Sequence, residues 1–370
     1  MANIVVTGAD GFVGKNLCLR ALEAGHVVSP IVRSTTAAER ITALASADIV
    51  FHLAGVNRPK TEDEFGSGNT DATRQLCEEL RATGRVVAVV LSSSTQATLD
   101  NAYGRSKKAA EDAVLEYGKR SGAPVHVFRL PNVFGKWCRP QYNSAVATFC
   151  HNIARDLPVK INDPDSPLRL VYVDDVVENF LSLLSAPASE NGFAEVPTVY
   201  QTTVGEVVDI LRSFPEMRQT LVTPAVGTGF IRALYSTYIS YLPPDRFAYE
   251  VPRHGDPRGT FVEMLKTADS GQFSYFTAHP GITRGGHYHH SKTEKFLVIK
   301  GKARFGFRHV VTGELYEVFT EGGEAQIVET VPGWTHDITN IGEDEMIVML
   351  WANEIFDRAR PDTIAMKVAP

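Results

Sequence analysis

Asn3-Ile-Val-Val-Thr7, followed without a break by Gly8-Ala-Asp-Gly11-Phe-Val-Gly14, decides the fold of this chain. The first run is short, apolar and β-branched, as a buried strand is. Val13, Leu17 and Ala21 then recur on one face of a helix that stops at Gly25. Between the two, Gly8 makes a tight turn, Gly11 lets backbone approach a pyrophosphate, and Gly14 lets helix and strand pack closely. Strand, glycine turn and helix together offer an anion free N–H groups and a partial positive charge. Gly8, Gly11, Phe12 and Val13 are therefore candidate dinucleotide contacts.

A second strand, Val27 to Val32, ends at Arg33-Ser34-Thr35. A carboxylate at that place would take the ribose hydroxyls of NAD, whereas a guanidinium and two hydroxyls suit a 2′-phosphate. NADPH is the expected cofactor. Asp48 to Gly55 is a third strand with its turn, Val86 to Leu91 a fourth running into Ser92-Ser93-Ser94, and Val125 to Leu130 a fifth. Strands alternating with helices at this rhythm predict a Rossmann-like α/β domain, a doubly wound parallel sheet. Ligands sit at the carboxyl ends of such strands, where Gly8, Arg33, Ala54, Ser94 and Asn132 all fall.

Tyr103-Gly-Arg-Ser-Lys107 opens the helix after the serine triplet, and its Tyr and Lys project from one face. Taken alone, such a pair is usually a solvated helix face; the glycine turn upstream changes that. An ammonium beside a phenol favours the phenolate, so the Tyr103 pKa is expected to fall. A serine hydroxyl arriving from the strand end could hold a carbonyl oxygen against the phenol.

At 370 residues, two domains are the default, with 44% hydrophobic and 22% charged residues. A net charge of −6 without a basic stripe excludes an electrostatic nucleic-acid binder. Cys18, Cys77, Cys138 and Cys150 have no metal spacing and are expected to be reduced, mostly buried thiols. The longest apolar run, Val86 to Leu91, is far too short for a bilayer, so no membrane partner and a cytoplasmic location are expected. Pro215 to Pro244 shows no clear pattern, and Pro243-Pro244 suits a linker end. The first domain is placed at 1–244 and the second at 245–370.

From about Phe247 short alternating segments separated by turn residues predict an all-β sandwich or barrel. It carries Gly281-x5-His287-x-His289-x4-Glu294-x6-Gly301, and later His336 and Asn340. His287 and His289 share a strand face, and Glu294 can return on the next strand to meet them. With His336 they suit one divalent ion, zinc being the expected one.

Thr7-Gly-x-x-Gly-x-x-Gly14, His52-Leu-Ala-Gly55, Ser92-Ser-Ser94 and Tyr103-x-x-x-Lys107 together resemble the extended short-chain dehydrogenase/reductases that act on nucleotide sugars. That resemblance implies a catalytic set of Ser94, Tyr103 and Lys107. Tyr103 would be the acid, and Lys107 would hold the nicotinamide ribose; any of the three serines could be the productive one. It also implies Leu53, Ala54, Gly55, Tyr103 and Lys107 against the cofactor. Asn132 would lie between cofactor and sugar, and Arg169 on the nucleotide-diphosphate strand.

The histidine spacing is similar to the first cupin (jelly-roll) motif, and Pro332-Gly-Trp-Thr-His336 to the second. His254 to Glu263 and Arg284-Gly-Gly-His287-Tyr288 resemble the dehydrorhamnose 3,5-epimerase branch. There the matching histidine is a base, so His287 has two readings, ligand or base, and a metal-bound imidazole has no lone pair left for a proton. Arg258 and Arg284 would meet the diphosphate. His290 occupies neither motif position and is expected to be an exposed strand histidine.

Reductase followed by epimerase-like cupin resembles the bifunctional capsular and O-antigen enzymes of the CapF or WbjC type. The resemblance implies a UDP-2-acetamido-2,6-dideoxy-hexos-4-ulose, epimerised at carbon 3 by the cupin and then reduced at carbon 4 with NADPH to the L-talose product. The product would be a UDP-N-acetyl-L-fucosamine precursor. A homodimer or higher homo-oligomer is expected. Two other readings stand beside it: a plain reductase with a non-catalytic sugar-binding or dimerising cupin, and a cofactor-sensing regulator. The intact Ser, Tyr and Lys set speaks against the sensor, which needs no proton donor.

Overall fold

The computed structural model of the protein describes residues 1–185, 192–359 and 361–369. The chain forms two compact units, Met1–Leu211 with Ala233–Pro243, and Arg212–Arg232 with Pro244–Pro370.

In the first unit, strands β1 (Asn3–Thr7), β2 (Val27–Ile31), β3 (Ile49–His52), β4 (Ala88–Ser94) and β5 (Val125–Leu130) alternate with helices α1 (Phe12–Glu23), α2 (Ala37–Ser46), α3 (Asp63–Phe65), α4 (Ala72–Ala82) and α5 (Ala102–Ser121). A π-helical turn, Gly66–Asp71, joins α3 to α4. Then come β6 (Asn132–Phe134), α6 (Ala145–Ile153), β7 (Pro167–Tyr172), α7 (Val173–Ser182), β8 (Gly192–Ala194) and β9 (Tyr200–Thr203). The main sheet runs β2-β1-β3-β4-β5-β8, parallel throughout, and β6-β7-β9 form a smaller sheet. Pro30 lies on the edge strand β2, where a missing N–H costs no ladder bond.

Alternation along the central strands explains the two layers of helices. Val5, Val50, Val89 and Val127 pack with Leu76, Leu80, Val114 and Tyr117 of α4 and α5. Ile4, Val6, Phe51 and Phe128 pack on the other face with Leu17 and Ala21 of α1 and Val176, Val177 and Phe180 of α7. Side chains of period two thus bury both faces of a doubly wound sheet. The four cysteines are free, Cys77 and Cys150 buried and Cys18 and Cys138 half-buried.

The stretch from Pro215 differs from the sequence reading. Helix α8 (Val204–Thr220) continues through Pro215, and α9 (Gly229–Ile239) follows. Proline forfeits one intrahelical hydrogen bond but does not end a helix whose packing holds it. Val207, Val208, Leu211 and Phe214 of α8 are all buried. The division between the units falls inside α8 and again inside α9.

The second unit is all-β. Strands β10 (His254–Asp256), β11 (Gly259–Thr267), β12 (Gly271–Ala278), β13 (Thr283–Tyr288), β14 (Glu294–Lys300) and β15 (Lys302–His309) are followed by β16 (Leu315–Glu321), β17 (Ile327–Glu329), β18 (Trp334–Asn340), β19 (Met346–Ala352) and β20 (Ile364–Ala365). They make two antiparallel sheets, β10-β11-β12-β19-β14-β17 and β16-β15-β18-β13-β20. Phe276, Phe296, Phe305, Phe307, Ile338 and Val348 fill the space between them.

Candidate active sites

The first cluster grows from the carboxyl ends of β1, β3 and β4. Gly8, at φ +67°, turns the chain beneath Ala54, and a Cβ on Gly14 would stand 2.2 Å from the Gly8 carbonyl. Only glycine lets α1 start this close to β1, and its N-cap, Gly11, offers no side chain to the first-turn N–H groups. Those donors remain for an anion. Phe12 and Val13 open α1, Leu53, Ala54 and Gly55 follow β3, and Arg33 stands exposed in the turn after β2.

Asn101 caps α5 by accepting the Gly104 N–H at 2.8 Å, which fixes the helix start at Ala102 and puts Tyr103 in its first turn. The hydroxyls of Tyr103 and Ser94 are hydrogen-bonded to each other. The rest of the triplet is committed elsewhere: Ser93 donates to Glu111 at 2.6 Å, and the Ser92 carbonyl accepts from Lys107 Nζ at 2.8 Å. Burial raises the Tyr103 pKa, and the Ser94 hydrogen bond only partly opposes it. This reverses the expected fall, because the Lys107 ammonium is turned to backbone and desolvation of the phenolate wins. Lys107 itself is brought down to about 8 by burial, with Glu111 opposing.

Several supporting residues escape the motif reading. Glu111 is fully buried and takes Arg129 Nε and Nη2 at 2.9 and 2.6 Å. Asn69, in the π-helical turn, exchanges hydrogen bonds with Val56 and donates to Ser106, pinning the loop beyond Gly55. His52 lies between the Thr7 and Thr73 hydroxyls, and burial lowers its pKa to about 3, so it is neutral. Lys107 at i and Glu111 at i+4 was the available sequence signal for the first of these. Asn132 and Arg169 are exposed on the neighbouring strands β6 and β7.

The second cluster lies in the all-β unit. One ligand atom from each of His287, His289, Glu294 and His336 falls within 4.8 Å of the others. His287 lies one residue before the end of β13, opposite His336 on β18, His289 follows β13, and Glu294 begins β14. A bulge sets the geometry. Arg284 pairs with Ile338 and His287 with His336, so the extra residue at Gly285-Gly286 puts Arg284 and His287 on one face despite their odd spacing. Both glycines have positive φ, +93° and +78°.

Glu294 Oε2 lies 3.3 Å from His289 Nε2 and 3.4 Å from His336 Nε2, while Oε1 accepts from Lys292 at 2.9 Å. Burial opposes ionisation of Glu294, yet the hydrogen bonds from both histidines and the Lys292 charge hold it well below the usual carboxylate range. Burial lowers His287 to about 4, so its ring is neutral, as a metal ligand must be. His336 Nδ1 is buried without a partner. Three imidazoles, a carboxylate and this unpartnered nitrogen fit a divalent ion.

Arg284 lies over the Phe276 ring, donates from Nε to the Thr277 carbonyl at 3.1 Å, and keeps Nη2 buried without a partner. Arg258 is engaged by Asp256, whose pKa that pairing lowers to about 2. His290 is exposed beside Tyr288 but lies in a bend past the end of β13, not in a strand as expected.

Comparison with known proteins adds to this geometry. The NAD dependent epimerase/dehydratase family matches residues 4–196, and the polysaccharide biosynthesis C-terminal domain matches 254–364. A UDP-2-acetamido-2,6-beta-L-arabino-hexul-4-ose reductase of Pseudomonas aeruginosa is 58% identical over 99% of this chain and 98% of its own. The crystal structure of the capsular polysaccharide assembling protein CapF from Staphylococcus aureus superposes with a TM-score of 0.92 at 43% identity, covering 99% of this chain and 100% of that one. A UDP-glucuronic acid 4-epimerase from Bacillus cereus, solved with NAD, shares the fold over 64% of this chain and 98% of its own, with a TM-score of 0.55 at 17% identity. Among the described residues no helix is long and apolar enough to cross a membrane.

Proposed function

The chain belongs to the CapF-type family, an NAD-dependent epimerase/dehydratase module followed by a polysaccharide-biosynthesis C-terminal domain, and from that premise we propose a two-step conversion of a UDP-linked 4-keto sugar. It is an oxidoreductase with epimerase activity. The substrate is a UDP-2-acetamido-2,6-dideoxy-hexos-4-ulose; the cupin inverts carbon 3, and the reductase module then reduces the carbon-4 ketone to the L-talose product. The enzyme works as a homo-oligomer, in the cytoplasm.

The observation that carries this reading is the presence, in one chain, of two dissimilar residue sets suited to successive steps. Ser94 holds the ketone oxygen and Tyr103 donates a proton to it; the raised Tyr103 pKa keeps that proton in place until it is needed. Lys107, charged below about pH 8, lies beneath them. NADPH, favoured over NADH by Arg33, supplies the hydride. In the other unit, zinc held by His289, Glu294, His336 and His287 supplies Lewis acidity toward the ketone. Arg284, with its unpartnered Nη2, and Arg258 take the diphosphate, and His287 is the base if it is not a ligand. A carbon-4 ketone acidifies the hydrogen at carbon 3, and reducing it locks the new stereocentre.

The name of the Pseudomonas relative records reduction alone. That favours, as a second reading, a plain reductase with a non-catalytic cupin. Purified protein incubated in deuterated water with the 4-keto sugar and no NADPH separates the two. Deuterium at carbon 3 supports epimerisation; none leaves only the reductase.

A further inference from the structure

The histidine cluster is tied to the end of the chain. Strand β20 pairs with β13 at His287 and Tyr288, and the Met366 N–H donates to the Gly286 carbonyl at 2.9 Å. The Thr335 hydroxyl donates to the Met366 carbonyl, so one short segment grips both strands that carry imidazoles. Asp362 opens that segment and makes two separate attachments. Its main-chain carbonyl is hydrogen-bonded to His289 Nδ1. Its carboxylate accepts the consecutive N–H groups of His290, Ser291 and Lys292 at 2.9, 2.7 and 2.8 Å, and the Ser291 hydroxyl at 3.1 Å.

The first attachment orients the ring. A carbonyl can only accept, so His289 Nδ1 carries a proton and Nε2 is the ring atom left for an ion. It faces Glu294 Oε2, a second candidate ligand, at 3.3 Å. The second attachment ties down 290–292, the loop that joins His289 to Glu294, with four donors converging on one carboxylate. We propose that Asp362 is the positioning residue of the metal centre: its carbonyl aims His289 Nε2 at the ion, and its carboxylate closes the ligand loop. The C-terminal segment is thereby a strap that retains the metal. This rests on the metal reading above, and it adds a residue about seventy positions away from the ligand loop.

The full-length protein tests it with zinc and cobalt(II) as probes. Zinc release to a chromogenic chelator is timed for the unaltered protein, Asp362→Ala and Asp362→Asn, and the visible spectrum of each cobalt form is recorded. Loss of an orienting outer contact commonly weakens a metal by about 10–100-fold. Asp362→Ala should release zinc correspondingly faster and alter the cobalt bands, with Asp362→Asn in between. A purely structural role would lower the melting temperature of metal-free and metal-loaded protein alike. Positioning instead narrows the gap between the two. Should Asp362→Ala not fold, the isosteric Asp362→Asn carries the same comparison. Unchanged release, bands and melting gap in a folded variant overturn the strap alone. Failure of the unaltered protein to bind either ion overturns the metal reading and the strap together.

Discussion

Each candidate catalytic group has its protonation set by what it touches. Tyr103 keeps its proton well past neutrality because burial penalises the phenolate, while Lys107 loses its charge near pH 8 for the same reason acting on a cation. The two shifts predict different pH limits. Below about 8 the Lys107 ammonium is present, and above it the amine is neutral, so kcat/KM for ketone reduction should fall with an apparent pKa near 8. Tyr103 cannot cause that limb, since its ionisation lies above its ordinary value of 10. A profile flat to pH 10 would show that Lys107 charge is not needed for reduction. Arg33 stands exposed after β2 and makes a second residue-scale prediction. Arg33→Asp should weaken NADPH by about 1.5–3 kcal/mol, one charge-assisted contact, and narrow or reverse the preference over NADH. Equal affinity of the unaltered protein for both cofactors, read by titration, would remove Arg33 from this role.

At the scale of elements, the bulge in β13 decides which residues share a face. A Cβ on Gly285 would stand 2.8 Å from the His336 carbonyl, whereas one on Gly281, also at positive φ, meets nothing within 4 Å. Both alanine variants strain the backbone, but only Gly285→Ala wedges β13 from β18 beside a ligand. It should cost about 1–3 kcal/mol and weaken zinc, while Gly281→Ala costs less and leaves zinc affinity unchanged. Denaturation with and without chelator reads both, and equal effects would contradict the wedge. What the sequence made legible was local: a glycine turn between strand and helix, Tyr103 and Lys107 one turn apart, two histidines in alternation. Glu111 went unread because its partners, Ser93 and Arg129, each lie 18 positions away and meet it only when β4 and β5 pair beside α5. Asp362 went unread for a stronger version of the same reason. Pro215 misled, since a breaker in sequence is tolerated where Phe214 and Met217 are buried on either side of it.

For the whole molecule, the two residue sets belong to different units, so their chemistries should part cleanly. Tyr103→Phe should lower NADPH oxidation by about 10²–10⁴-fold yet leave deuterium entering carbon 3 of the 4-keto sugar. His287→Ala should stop the exchange and spare slow reduction of the unepimerised ketone. Loss of exchange in a folded, cofactor-binding Tyr103→Phe protein would place both reactions at one site. The division of the chain has a practical corollary for anyone building hybrids from relatives of this enzyme. Because the boundary falls within α8 and again within α9, a graft joined at the Pro243-Pro244 pair alone would leave 212–232 mismatched to its new neighbour. In the native chain that stretch hydrogen-bonds to β11, with Thr223 N–H on the Lys266 carbonyl and Lys266 N–H on the Leu221 carbonyl, both at 2.7 Å. A chimera that swaps specificity must therefore transplant 212–232 together with 244–370, splicing three seams instead of one.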